Sequence, residues 1–125
     1  MLKFKLPTRT QTAVNDDVVT TLGSIDISID TSIASEIRWE TEFPSAAAKE
    51  SLFAYIARCN KITDTSSALS AIKGLYCFIE FEKATSFLEF CKMFNFADME
   101  FFNSFVDAIK NAFEMIYPEV KKKDL

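Results

Sequence analysis

The sequence predicts a mainly α fold, a bundle of about five helices preceded by a short N-terminal β-hairpin or small sheet. Three observations carry that prediction. The hydrophobic period changes from that of a strand to that of a helix at Thr31, so strands precede the change and helices follow it. Only 2 glycines occur in 125 residues, which leaves few tight turns and no glycine-rich phosphate cradle. The segment from Phe101 to Ile116 carries an unbroken helical stripe.

The strands come first. Leu2, Phe4 and Leu6 alternate with Lys3 and Lys5, and Ile25, Ile27 and Ile29 alternate with Asp26, Ser28 and Asp30. Each alternation marks a half-buried strand. Between them, TRTQTAVNDDVVTTLGS is polar and turn-rich; Val18 and Val19 add a short strand before Gly23 turns the chain.

The helices follow in order. Asp30 or Thr31 caps the first, which carries Ile33 and Ile37 and stops at Pro44. The second begins after Pro44 and aligns Ala48, Leu52, Tyr55, Ile56 and Cys59 on one stripe. NKITDTSS is the polar break. The third, capped by Asp64 or Thr65, aligns Ala68, Leu69, Ile72, Leu75, Tyr76 and Ile79. Ser86 and Glu89 form a capping box for the fourth, whose face is Phe87, Phe90, Cys91 and Phe94. Asp98 caps the fifth, where Phe102, Phe105, Val106, Ile109, Ala112, Phe113 and Ile116 keep the helical period until Pro118 ends it. No repeat or boundary interrupts residues 1–125, which read as one domain: a hairpin or loop cap over 1–30, a helical body over 31–118, and a flexible basic tail over 119–125.

Composition bounds the function. An apolar fraction of 49 % and a charged fraction of 26 % are ordinary for a folded globular chain. A net charge of −4 argues against a nucleic-acid partner, because phosphate binding relies on concentrated Lys and Arg. The start MLKFKLPTRTQ lacks the apolar core of a signal peptide, and no run approaches the ~20 apolar residues that span a bilayer, so no membrane role and a cytoplasmic setting are expected. Cys59, Cys77 and Cys91 each sit in an apolar helical pattern and read as reduced core thiols.

With no His in the chain, nucleophilic triads and most proton shuttles lose their usual base, and zinc loses a usual ligand. Asp26 and Asp30 with Asp16 and Asp17 form a conceivable divalent-ion site, and Glu36 and Glu40 imitate a carboxylate pair. Both sets read as solvated surface, since ion sites need several converging oxygens and exposed i,i+4 acids merely repel. The chain is expected not to be an enzyme, with no catalytic, cofactor-binding or metal residues.

The aromatics are the sharper signal. On the first helix Ile33 and Ile37 share one face, while Trp39 and Phe43, one turn apart, fall roughly on the other. Phe78, Phe81, Phe96 and Phe101 lie beside or off the main stripes. A small helical bundle cannot easily hide them all among its 13 Phe. Trp39, Phe43, Phe78, Phe81, Phe96 and Phe101 are therefore expected to form a partner-binding surface.

The stretch IDTSIASEIRWETEFPSAAAKESLFAYIARCNKI, Ile29 to Ile62, resembles the tail assembly chaperones of long-tailed bacteriophages and prophages. The features that carry the resemblance are the strand-like start, Arg38-Trp39-Glu40, Phe43-Pro44, and a following helix with Phe53-Ala54-Tyr55-Ile56 and Arg58. The resemblance implies a small helper in the host cytoplasm that binds the tape-measure protein and tail-tube protein during tail morphogenesis and is absent from the finished virion. It brings no catalytic residues and allows a homo-oligomer. Such chaperones are often made in two forms by a ribosomal frameshift, and adenine-rich codons for Lys121-Lys122-Lys123 would suit the slippery run; the helix dipole and solubility alone account for these lysines, and that plainer reading carries the greater weight. The alternative from another class is a small acidic inhibitor or immunity-type protein that plugs a basic enzyme through its carboxylates.

Overall fold

Strands β1, Leu2–Val14, and β2, Asp17–Ile29, pair antiparallel as one two-stranded sheet. The computed structural model describes residues 2–59 and 64–124, with side chains described as far as Tyr117. Asn60 to Thr63, the centre of the expected polar break, and the lysine side chains of the basic tail lie outside the described residues. Asn15 and Asp16 make the hairpin turn with φ of 50° and 68°. Both are residue types that tolerate the left-handed region, and a two-residue turn with positive φ matches the right-handed twist of the strands. The register sets Phe4 opposite Ile27 and Leu6 opposite Ile25, which gathers the apolar residues of the hairpin base on one face. Leu6, Ile27 and Ile29 are buried there.

The helices are α1, Ile33–Glu42; α2, Pro44–Ala47; α3, Leu52–Arg58; α4, Thr65–Phe78; α5, Phe87–Cys91; and α6, Met99–Asp124. Their starts follow side-chain chemistry. Ser51 accepts the Ala54 amide at 3.2 Å and Ser86 accepts that of Glu89 at 3.1 Å. Asp64 and Ser67 cap each other reciprocally at the head of α4. Asp98 accepts the Glu100 amide at 2.9 Å and so caps α6. Each such bond satisfies an amide that the first helical turn leaves without a partner.

The expected architecture is corrected in several places. The fold is not a five-helix bundle behind a short hairpin: the described residues form six helices, and the hairpin is long, with 13 residues in each strand. Gly23 does not turn the chain; it lies within β2 opposite Thr8, whose Oγ1 is 3.2 Å from where a Cβ would stand. Ser32, not Asp30 or Thr31, caps α1 by accepting the Ala34 amide, while Asp30 accepts from Ser32. The expected second helix is two, because Glu36 and Ser51 supply acceptors for a fresh start at Leu52. The fourth helix ends at Cys91, short of Phe94. Pro118 does not end α6, which continues to Asp124 where a flexible tail was expected. A proline removes one hydrogen bond, here to the carbonyl of Glu114, and Glu114 is exposed, so water can take the vacated position.

One core joins sheet and helices, with Leu6, Trp39, Leu52, Leu75, Phe90, Phe105 and Ile109 fully buried. The hairpin base is fastened on both sides. On one, the Arg9 amide donates to Met93 O at 3.0 Å, and the buried Arg9 guanidinium lies 3.9 Å from Asp98. On the other, Asp30 donates to Phe78 O and Glu80 donates to Ser28 O, each at 2.8 Å. The Arg9 bond shows that odd-numbered residues of β1 turn their backbone groups away from β2. Pro7 belongs to that set and so removes no ladder bond.

Candidate functional site

The two apolar sides of α1 have opposite fates. Trp39 is 0 % exposed, whereas Ile33 is 78 % and Ile37 59 % exposed. A helix lying on a core places the face with more apolar area inward, and an indole with a phenyl ring one turn away exceeds two isoleucines. Trp39 packs 4.6 Å from the Tyr55 ring and 5.5 Å from Phe43, and its Nε1 donates to Glu50 O at 3.1 Å. Buried indole N–H groups need such a partner.

The expected aromatic partner surface is therefore corrected for Trp39, Phe78 and Phe101, whose burial leaves them no outward face. Trp39, Phe78 and Phe101 are buried, and Phe43, Phe81 and Phe96 are half-buried against the core. Phe43 meets Phe87 edge-on at 5.1 Å. Phe81 lies 5.5 Å from Tyr76 and 5.8 Å from Phe90, and Phe96 lies 5.3 Å from Phe102 and 5.1 Å from Phe105. Rings that fall off a stripe on the helical wheel still reach one another, because edge-to-face and tilted contacts form at centroid separations of roughly 4.5–7 Å. The structure joins Trp39, Phe43, Phe81, Phe96 and Phe101 in one network of ring contacts, and Phe78 is buried in the same core.

Glu36, Arg38, Tyr55 and Arg58, from the same part of the sequence, also hold the fold. Glu36 accepts the amides of Leu52 and Phe53 at 3.0 and 3.1 Å, so it caps α3, while Glu40 is exposed. Arg38 donates to the carbonyls of Ile79 and Cys77 at the end of α4, where a cation suits the helix dipole. Tyr55 donates to Ser70 O at 2.6 Å, and Arg58 pairs with Glu50 while lying 5.3 Å from the Tyr55 ring centre. Asp26 pairs with Lys5 at 3.3 Å on an exposed strand face.

Among the described residues no three His, Cys, Asp or Glu side chains converge in a way that could hold a metal ion. Burial pushes the Cys77 thiol up to about 12 and raises Cys59 and Cys91 as well, which keeps all three in the unreactive protonated form at neutral pH. A cleft of about 590 Å³ between α3 and α6 is lined by Ile56, Cys59, Lys110, Phe113, Glu114 and Tyr117. Among the described residues no helix is long and apolar enough to cross a membrane.

What the outside does present is apolar side chains without cover. Ile33 and Ile37 stand one turn apart on α1, and Val18 and Leu22 stand on β2, 67 % and 68 % exposed. Sequence reasoning missed both pairs. The signal for the first was the greater bulk of the opposite face; for the second it was the uncharged β-branched run after the Asn-Asp turn. No family model, curated protein or solved structure matches the chain.

Proposed function

We propose that this chain is a non-enzymatic tail assembly chaperone of a long-tailed phage or prophage, acting in the host cytoplasm on the tape-measure and tail-tube proteins. The observation that carries the proposal is the outward Ile33 and Ile37 pair on α1, which lies within the stretch that resembles that family. Two exposed β-branched side chains at i,i+4 offer an apolar ridge of the kind that packs against a helical stripe. A tape measure is long and helical, and its apolar faces need cover before the tail tube closes around it. The net charge of −4 helps keep a module with exposed apolar groups from indiscriminate association. The binding face is α1's isoleucine side, and the aromatic side belongs to the core.

Co-expression with a phage tape-measure protein tests this reading. The expected result is a complex that co-purifies and that Ile33→Asp with Ile37→Asp abolishes. A tape-measure protein that purifies without this chain would overturn it, and capture of a basic enzyme in its place would favour an acidic inhibitor.

A further inference from the structure

The outer part of the hairpin stands away from the body. Every residue from Gln11 to Ser24 is exposed, including Val14, Val18, Val19 and Leu22. The two edges of this arm differ. The root of the β1 edge is covered by the segment before α6, through the Arg9 amide on Met93 O at 3.0 Å and the Gln11 side chain on Asn95 at 2.8 Å. Among the described residues the β2 edge is engaged at its base, where Ser28 O accepts from Glu80 and the Asp30 amide reaches Phe78 O. Backbone direction alternates along a strand, so Asp26, Ser24, Leu22, Thr20 and Val18 also turn their N–H and C=O groups outward. Among the described residues no third strand joins the sheet there.

An open edge is a template for another strand, and its side chains select which one. From Val18 to Ile25 this edge has no charge and no proline, while Asp17 and Asp26 close its two ends. A helical client cannot meet a row of outward backbone groups. A second copy of the same edge can. Set antiparallel about a two-fold axis at Thr20, Val18 opposes Leu22 of the other copy and Thr20 opposes its own counterpart. Asp17 then opposes Gly23 and Asp16 opposes Ser24, so no like charges meet. Apolar pairs directly opposite stabilise a sheet and like charges there destabilise it.

We infer that the β2 edge pairs with the β2 edge of a second copy about a two-fold axis at Thr20, joining two arms into a four-stranded sheet. The partly covered β1 edge limits growth beyond the pair, so the assembly closes as a dimer instead of extending as a fibre. This pairing is independent of any client and leaves the outward face of α1 unused.

Sedimentation of the full chain across a concentration series reads the inference directly. The wild type is expected to be a concentration-dependent dimer. Thr20→Lys and Thr20→Glu should each be monomeric, because identical charges then meet across the axis, and an equimolar mixture of the two should recover the dimer. Position 20 is exposed, so circular dichroism and Tm of both variants should match the wild type. A wild type that is monomeric throughout, a Thr20→Lys chain that remains dimeric, or a mixture that remains monomeric would each overturn it.

Discussion

Glu36 Oε2 accepts the amide of Leu52 at 3.0 Å, so a side chain of α1 caps α3. Its other oxygen takes the Phe53 amide at 3.1 Å. Two charge-assisted bonds to first-turn amides, with the negative charge at the positive end of the helix, explain why the chain restarts at Leu52. Glu36→Ala should destabilise the fold by about 1–2 kcal/mol, as loss of a helix cap does. Glu40→Ala, one turn on and exposed, should change stability by less than about 0.5 kcal/mol. Urea unfolding of the two variants checks the contrast; equal effects would remove the cap from the account.

Trp39 is the largest of the fully buried side chains. Trp39→Ala should cost about 3–5 kcal/mol through lost burial and the cavity left between α1 and α3. Trp39→Phe keeps most of the ring but leaves Glu50 O without its indole donor, so an intermediate loss is expected. Equilibrium denaturation measures both, and a Trp39→Ala chain as stable as wild type would contradict the packing of α1 described here.

Alkaline stability follows from two buried groups. Burial pushes the Tyr55 hydroxyl from 10.0 up to about 12 and the Cys77 thiol from 9.0 up to about 12. The unfolded chain releases these protons at lower pH than the folded one. Their contribution is therefore fully present below pH 9 and is lost as pH rises toward 12. Tm should fall across that window, and Cys77→Ala should flatten its lower part while lowering Tm at neutral pH through the cavity it leaves. A Tm that stays level up to pH 12 would contradict the burial of both groups.

Legibility of the fold varied with the range of the forces involved. The stripe Phe102, Phe105, Val106, Ile109, Ala112, Phe113 and Ile116 is buried as its spacing predicts, since a long period averages over local detail. The caps at Asp64, Ser86 and Asp98 were readable because each acts within three residues. The split between α2 and α3 was not, because its cause is Glu36, 16 residues before Leu52. The hairpin was read too short: Val18 to Leu22 pair with Ala13 to Arg9 without facing a core, so no burial pattern marks them. The candidate site suffered most. Which side of α1 faces inward depends on what lies beneath it, and a helical wheel with two apolar sides gives the choice without its answer.

The measurement that bears most directly on the proposed function is a calorimetric titration of the tape-measure protein with wild type and with the Ile33→Asp, Ile37→Asp double variant. Both positions are exposed, so the variant should fold with nearly the wild-type Tm. The account predicts saturable binding by wild type and at least a tenfold loss of affinity for the variant, which corresponds to about 1.4 kcal/mol. Equal affinities for the two chains would contradict a binding face on the outward side of α1.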